Sequence, residues 1–365
     1  MPSKKIRWWM PQMTGGEYKL IKTVLDDNFP NEGPLATEFE DKVKALVGSE
    51  HAVAVTNGTS AIFLALKACG VKPGDEVIVP DVTFIATANA AQMCGGRPVL
   101  VDVDEKTMNM SPEAFGKAIT KKTKAVVPVH VSGRAADMKA IMEIAEENGV
   151  DVVEDAAEGF MSRHRGKYLG TFGRFGCLSF SPNKIITTGQ GGIILAHDED
   201  HVLLRKLKDH GRPVRGTGGD DIHPSIGYNF KFTDLQAAVG LGQLPALKRR
   251  MTRMVKIRKI YQRRLEGVPG ISVFKADLAG GELPLWTDAL VEDRDGLDRY
   301  LSGNGIGCRR FWHPIHTQAP YRTSGKGLTT SLRLSGKALW LPSAFTLTDE
   351  DVNFVCERIL EYLIK

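Results

Sequence analysis

Short apolar runs and helical patterns alternate between His51 and Ala157, and this alternation limits the possible folds more than any other feature of the chain. HAVAVT (51–56) reads as a strand, Gly58 to Cys69 as a helix closed by Gly70, and DEVIVP (75–80) as a second strand. A helix through Ala86 to Met93 precedes PVLVDVD (98–104), one near Pro112 to Ile119 precedes KAVVPVHV (124–131), and one over Asp137 to Asn148 precedes VDVVEDAA (150–157). Strands separated by helical stretches of this length build βαβ units with right-handed crossovers, and their near-continuous Val and Ile content requires cover on both faces. The expected fold is α/β, a three-layer sandwich around a mostly parallel sheet.

The flanks divide the chain further. Residues 1–35 read as an arm with one helix from Glu17 to about Asp26, and Thr37 to Val47 as a helix ended by Gly48. From Asp234 a helical pattern runs to about Leu265, and Pro245, which costs ~3 kcal/mol inside a helix, demands a kink or break. Shorter elements follow: strands near Ile271–Phe274 and Leu285–Val291, then a helix over Arg294–Leu301. The last helix has Thr348 as N-cap, acidic residues 349–351 in its first turn, and an apolar stripe through Val352, Val355, Ile359 and Leu363. This gives an arm (1–35), a large domain (36–245) and a smaller α+β C-terminal domain (246–365).

Composition excludes several classes. No apolar run approaches the ~18 residues of a membrane span, and the start lacks a signal-peptide core, so a cytoplasmic protein with no membrane partner is expected. Five scattered cysteines without a CxxC pair indicate neither a disulfide framework nor a thiolate metal site. A formal net charge of +5 comes without a basic stripe and reading module, so no nucleic-acid partner is expected.

Ligands of open parallel sheets bind beyond the carboxyl ends of the strands, so the residues that follow each strand carry the functional reading. After HAVAVT, Asn57-Gly58-Thr59-Ser60 open a helix, as a phosphate site or as an ordinary cap. After DEVIVP comes Phe84, an aromatic plate or a core side chain; after VDVVE comes Asp155, a partner for a cationic ring nitrogen or a turn cap. His130 ends KAVVPVHV as a stacking group or a satisfied buried histidine. In SFSPNKIITTGQGG (179–192), Pro182 stops a strand just before Lys184, where a desolvated amine becomes a nucleophile toward a carbonyl, although a solvated turn lysine has the same local signature. Taken together, a phosphate site, an aromatic plate, a carboxylate and a lysine describe a pocket for pyridoxal 5'-phosphate (PLP). A nicotinamide site would need GxGxxG after the first strand, and NGTSAIF is not that pattern.

The segments NGTSAIFLAL, PGDEVIVPDVTFIATANA, GGRPVLVDVD, VVPVHVSGRAADM, VVEDAAEGF, SFSPNKIITTGQGGIIL, GYNFKFTDLQAAVGLGQL and FWHPIHTQAPY stand in the order found in the DegT/StrS sugar aminotransferases, which the chain resembles over nearly its whole length. The resemblance is strongest to those that aminate nucleotide-linked keto sugars at C4, perosamine synthases among them. It implies PLP fold type I, Lys184 as the Schiff-base lysine, Asp155 as the ring-nitrogen partner, Phe84 as the stacking ring, and Gly58, Thr59 and Ser179 at the phosphate. It also implies Glu158 near the ring oxygen, and Asn229 reaching the phosphate of a partner subunit's site, hence a homodimer with shared sites. The implied substrates are L-glutamate, which converts PLP to its amine form (PMP), and a keto sugar. A free or carboxylated sugar and a non-catalytic regulatory protein stand as alternatives; a histidine in place of Lys184 would mark the sugar dehydratases. Lys231 stands where an arginine is frequent. His313, His316, Arg212 and Arg309 are the expected substrate contacts, with Arg215 near Arg212; the spacing of His313 and His316 is metal-like, but Pro314 between them and the lack of partner ligands argue against a metal.

Overall fold

The computed structural model describes residues 5–213 and 222–364. In chain order the first elements are α1 (Gly16–Asp26), α2 (Pro34–Val47), β1 (His51–Val55), α3 (Gly58–Ala68), β2 (Glu76–Pro80), α4 (Ala86–Met93), β3 (Arg97–Val101), α5 (Pro112–Ala118), β4 (Thr123–Val126), α6 (Met138–Asn148) and β5 (Asp151–Asp155). A small hairpin of β6 (Arg163–His164) and β7 (Lys167–Tyr168) precedes β8 (Phe175–Ser179), β9 (Gly192–Ala196), α7 (Asp200–Lys208), α8 (Asp234–Gln243) and α9 (Leu247–Leu265). The remainder is β10 (Ile271–Val273), β11 (Thr287–Val291), α10 (Arg294–Gly303), β12 (Arg309–Arg310), α11 (Thr329–Ser335), β13 (Ala338–Leu341) and α12 (Asp349–Leu363).

Seven strands share one sheet in the order β1-β9-β8-β5-β4-β2-β3. Pairings among β3, β2, β4, β5 and β8 are parallel, whereas β9 runs against both β1 and β8. The sheet is thus mostly parallel, as the alternation predicts. The exception has a simple cause: β8 and β9 are joined by a loop without a crossover helix, which returns the chain antiparallel. The two sheet faces carry separate apolar clusters, one with α3 and α4 and one with α5 and α6. Helix α3 is buried from Ser60 to Leu66 because it lies under the sheet with other helices over it.

Strand lengths differ from the sequence reading where hydrogen bonding is interrupted. The run KAVVPVHV pairs regularly only to Val126, because Pro128 has no N–H; Val129 then makes a single bridge to Asp155. The strand expected from Leu285 begins at Thr287, since Leu285 N–H donates to the Ser132 carbonyl (3.0 Å) and Trp286 turns into the core. Pro245 sits in a 3₁₀ turn, Leu244–Ala246, that separates α8 from α9, the break its chemistry demanded. Strand β13 and helix α7 were not anticipated. A four-stranded antiparallel sheet, β10-β11-β13-β12, packs against α9, α10 and α12. A third cluster joins the two sheets through Trp9, Phe274, Trp286 and Trp340, so the N-terminal arm is part of the core.

Candidate functional site

Lys184 lies on the β8–β9 loop, which is closed on itself: Phe180 N–H donates to the Gly191 carbonyl (2.9 Å), Thr188 N–H to the Phe180 carbonyl (3.0 Å) and Lys184 N–H to the Ser181 carbonyl (3.0 Å). Gly192 lets this loop reach α3, because a Cβ there would lie 2.5 Å from the Asn57 carbonyl oxygen. The arm adds a further restraint, with Trp9 Nε1 donating to the Pro182 carbonyl at 3.1 Å. The loop backbone is therefore fixed on both sides of Lys184, whose side chain lines a cavity of about 740 Å³.

Two carboxyl groups share that cavity. Glu158 Oε1 is 3.7 Å from Lys184 Nζ, and its Oε2 accepts the Ser132 N–H at 2.7 Å. Asp155 ends β5; its Oδ2 accepts from the Thr87 hydroxyl (2.7 Å) and its Oδ1 from the Ala157 N–H (3.2 Å). Burial, only partly countered by Lys184, pushes the Glu158 carboxyl up to about 7. Burial likewise raises Asp155, against the Thr87 hydroxyl and the Ala157 N–H, and lowers the Lys184 amine against the attraction of Glu158 and Asp155. The result is an amine prepared for nucleophilic attack beside carboxyl groups that favour a cation entering the cavity.

The other end of the cavity is built to take an anion. Asn57 caps α3 by accepting the Ser60 N–H at 2.8 Å, which leaves the Gly58 and Thr59 N–H groups at N1 and N2, where a helix offers no acceptor. Ser179 and Ser181, with hydroxyls 3.0 Å apart, line the cavity beside them. The Asn57 stretch is thus an ordinary cap and an open helix terminus together. Phe84 also lines the cavity, 53% exposed despite its apolar ring, which argues for a ligand surface over a core role. Arg309 borders the cavity with its guanidinium stacked 5.0 Å from the Trp8 ring and 5.5 Å from that of Trp340.

Lys184, Asp155, Glu158, Phe84, Gly58, Thr59, Ser179 and Arg309 therefore meet at one place. Four expected residues do not. His316 stands outside the cavity lining: it is buried, its Nδ1 is 2.6 Å from Asp81 Oδ2, and its Nε2 packs against Gly325. His313 is exposed and outside the lining, and among the described residues no group of three or more potential metal ligands forms. Arg212 lies 3.8 Å from Asp209, and the Asn229 side chain accepts from Lys231 Nζ (2.7 Å) on the exposed surface, both away from this chain's cavity. Arg215 lies outside the described residues. His130 is a satisfied core histidine, its Nδ1 accepting from Ala136 N–H and its Nε2 2.9 Å from Glu154.

Sequence reasoning missed the aromatic wall. Trp286 stands 5.0 Å from Lys184 Nζ, with Trp8, Trp312 and Trp340 around it, and these come from four separate stretches with no shared local pattern. The doubled tryptophan of the arm was the one available signal.

Residues 11–360 match the DegT/DnrJ/EryC1/StrS aminotransferase family. The chain belongs to that family. GDP-perosamine synthase of Caulobacter vibrioides is 36% identical over 97% of each chain, and that of Escherichia coli O157:H7 is 34% identical over 98% of this chain and 99% of the relative. The structure of 3-amino-5-hydroxybenzoic acid synthase superposes with a TM-score of 0.93 at 28% identity, covering 99% of this chain and 100% of that one. The seven-stranded sheet is the PLP-aminotransferase fold, and the chain is a PLP-dependent aminotransferase.

Proposed function

We propose that this family member moves an amino group from L-glutamate to a nucleotide-linked 4-keto-6-deoxy hexose. The carrying observation is the convergence of one buried amine and two buried carboxyl groups on a single cavity at the carboxyl edge of the sheet. The residues fit PLP. Asp155 is an acid buried where its charge is disfavoured, so a cationic ring nitrogen would restore the missing counter-charge. Gly58 closes on Ser179, where a Cβ would lie 3.0 Å from the serine Cβ, which keeps the helix terminus free for a phosphate together with Thr59. Phe84 would cover one ring face, and Glu158 would stand near the ring oxygen. When bound, PLP supplies an electron sink that makes the C–H bond next to the transferred nitrogen acidic. Lys184 would hold the cofactor through Nζ and, once free of it, its amine would take up and return the proton at the reacting carbon. Glu158, 3.7 Å from Nζ, would orient that amine, and Trp286, Trp312 and Phe84 line the cavity around it.

The nucleotide-sugar choice rests on the perosamine synthases among the relatives and on Arg309 at the cavity border, which suits a diphosphate or a donor carboxylate. Asn229, directed away from its own cavity, and the exposed apolar side chains of Tyr18, Phe29 and Ile226 support a homodimer in which Asn229 completes the partner subunit's phosphate site. Among the described residues no helix is long and apolar enough to cross a membrane, and all five cysteines are free, which supports a cytoplasmic setting. The test is a panel of GDP-, UDP- and dTDP-linked keto sugars, free keto sugars and carboxylated keto sugars, each assayed with glutamate. Amination confined to nucleotide-linked 4-keto sugars is expected; turnover of only the free or carboxylated arms overturns the substrate assignment.

A further inference from the structure

Beneath the exposed ring of Phe84 lie two hydroxyls that the sheet buries almost completely, Thr83 at 1% and Thr87 at 0% exposure. The Thr87 oxygen is 2.8 Å from the Thr83 hydroxyl, 2.7 Å from Asp155 Oδ2 and 3.2 Å from the Phe84 carbonyl oxygen. A hydroxyl owns a single hydrogen, so these contacts cannot all be donated by Thr87. With Asp155 ionised, Thr87 donates to Oδ2 and Thr83 donates to Thr87, a directed chain ending on the charge. With Asp155 protonated, the acid donates to Thr87, and the Thr87 hydrogen turns to Thr83 or to the Phe84 carbonyl. The first arrangement carries a charge-assisted bond, roughly twice as strong as a neutral one, and each hydroxyl polarises the next.

We propose that Thr87, with Thr83 behind it, is a positioning residue that holds Asp155 in its anionic form beneath the cofactor site. The proposal rests on the reading of Asp155 as the ring-nitrogen partner. Other groups act on the same carboxyl: Lys184 from the β8–β9 loop and His130 from the segment after β4 favour the anion, whereas Glu158 opposes it and Cys177 on β8 adjoins it. Burial dominates all of them and favours the neutral acid. The hydroxyl pair is thus the contact that works directly on Oδ2 against burial.

Thr87→Val keeps the branched shape and removes the hydroxyl. In apoprotein, the infrared band of a buried protonated carboxylic acid, assigned by its loss in Asp155→Asn, should persist to higher pH in Thr87→Val than in wild type. Thr83→Val should give a smaller shift in the same direction, and Thr87→Ser should restore wild-type titration. In the PLP-loaded enzyme Thr87→Val should lower kcat about tenfold while the KM values for both substrates stay within about twofold, because the ring nitrogen's proton is held less firmly. Wild-type titration of the band in Thr87→Val overturns the proposal. If Thr87→Val does not fold, a Thr83→Val titration identical to wild type overturns it instead. Full activity in Asp155→Asn would instead remove the Asp155 reading, and the apoprotein titration would still decide whether Thr87 holds the carboxylate.

Discussion

Glu158 has an environment that its place in the sequence does not suggest. Its carboxyl is pushed up to about 7 in the folded protein against an ordinary value of 4.5, with burial the main cause. Between pH 4.5 and 7 the folded chain therefore keeps a proton that the unfolded chain releases, so stability contributed by this group falls as pH rises through that window. Lys184 acts in the opposite sense: its lowered value leaves the unfolded chain holding the extra proton, so stability rises with pH between its folded value and the ordinary 10.5. Glu158→Gln removes the first effect. Apoprotein unfolded in urea at a series of pH values should lose its decline in stability between pH 4.5 and 7 in this variant. An unchanged slope would show that Glu158 is ionised in the folded state across that range.

At the level of elements, the loop after β2 is tied to the C-terminal region by one carboxylate. Asp81, fully buried, accepts the His316 N–H (2.9 Å), the His316 Nδ1–H (2.6 Å) and the Ser331 hydroxyl at the start of α11 (2.5 Å). The Ile315 N–H adds a bond to the Asp81 carbonyl at 2.8 Å. Because Asp81 lies two and three residues before Thr83 and Phe84, this clamp sets where the aromatic plate sits. His316→Ala leaves a buried carboxyl group short of a donor, and leaving a buried polar group unsatisfied in this way costs about 1–3 kcal/mol. Chemical denaturation should show a loss of that size, while His316→Asn, whose amide replaces Nδ1–H, should recover most of it. A loss below about 1 kcal/mol for His316→Ala would mean that water or a neighbour takes over the bond.

At the level of the whole molecule, the proposed sharing of sites between subunits makes a prediction that a self-contained subunit does not. A Lys184→Ala subunit supplies a competent Asn229 but no reactive amine, and an Asn229→Ala subunit the reverse. In a mixed dimer one site collects both lesions and the other neither, so mixed dimers should recover up to about half of wild-type activity per dimer. Verified heterodimers without recovered activity would place each complete site within one subunit.

The repeat of strand and helix determined the α/β class, the mostly parallel sheet and the edge on which ligands bind, because these follow from local periodicity and from the direction of right-handed crossovers. Lys184, Asp155, Phe84 and the Asn57–Ser60 turn were legible for the same reason: each directly follows, or closely follows, an apolar run. Lys184 and Glu158, by contrast, acquire their unusual proton affinities only from burial in the folded cavity. The antiparallel course of β9 arose from a closed loop whose bonds join Phe180 to Gly191. The aromatic wall and the fate of His316 were decided by tertiary structure alone. Trp9 meets Pro182 across 173 positions and His316 meets Asp81 across 235, and no local pattern encodes such pairings. His316 reads as a substrate contact in the chain; in the fold, a fully buried carboxylate needed donors, and packing brought His316 and Ser331 within reach of it.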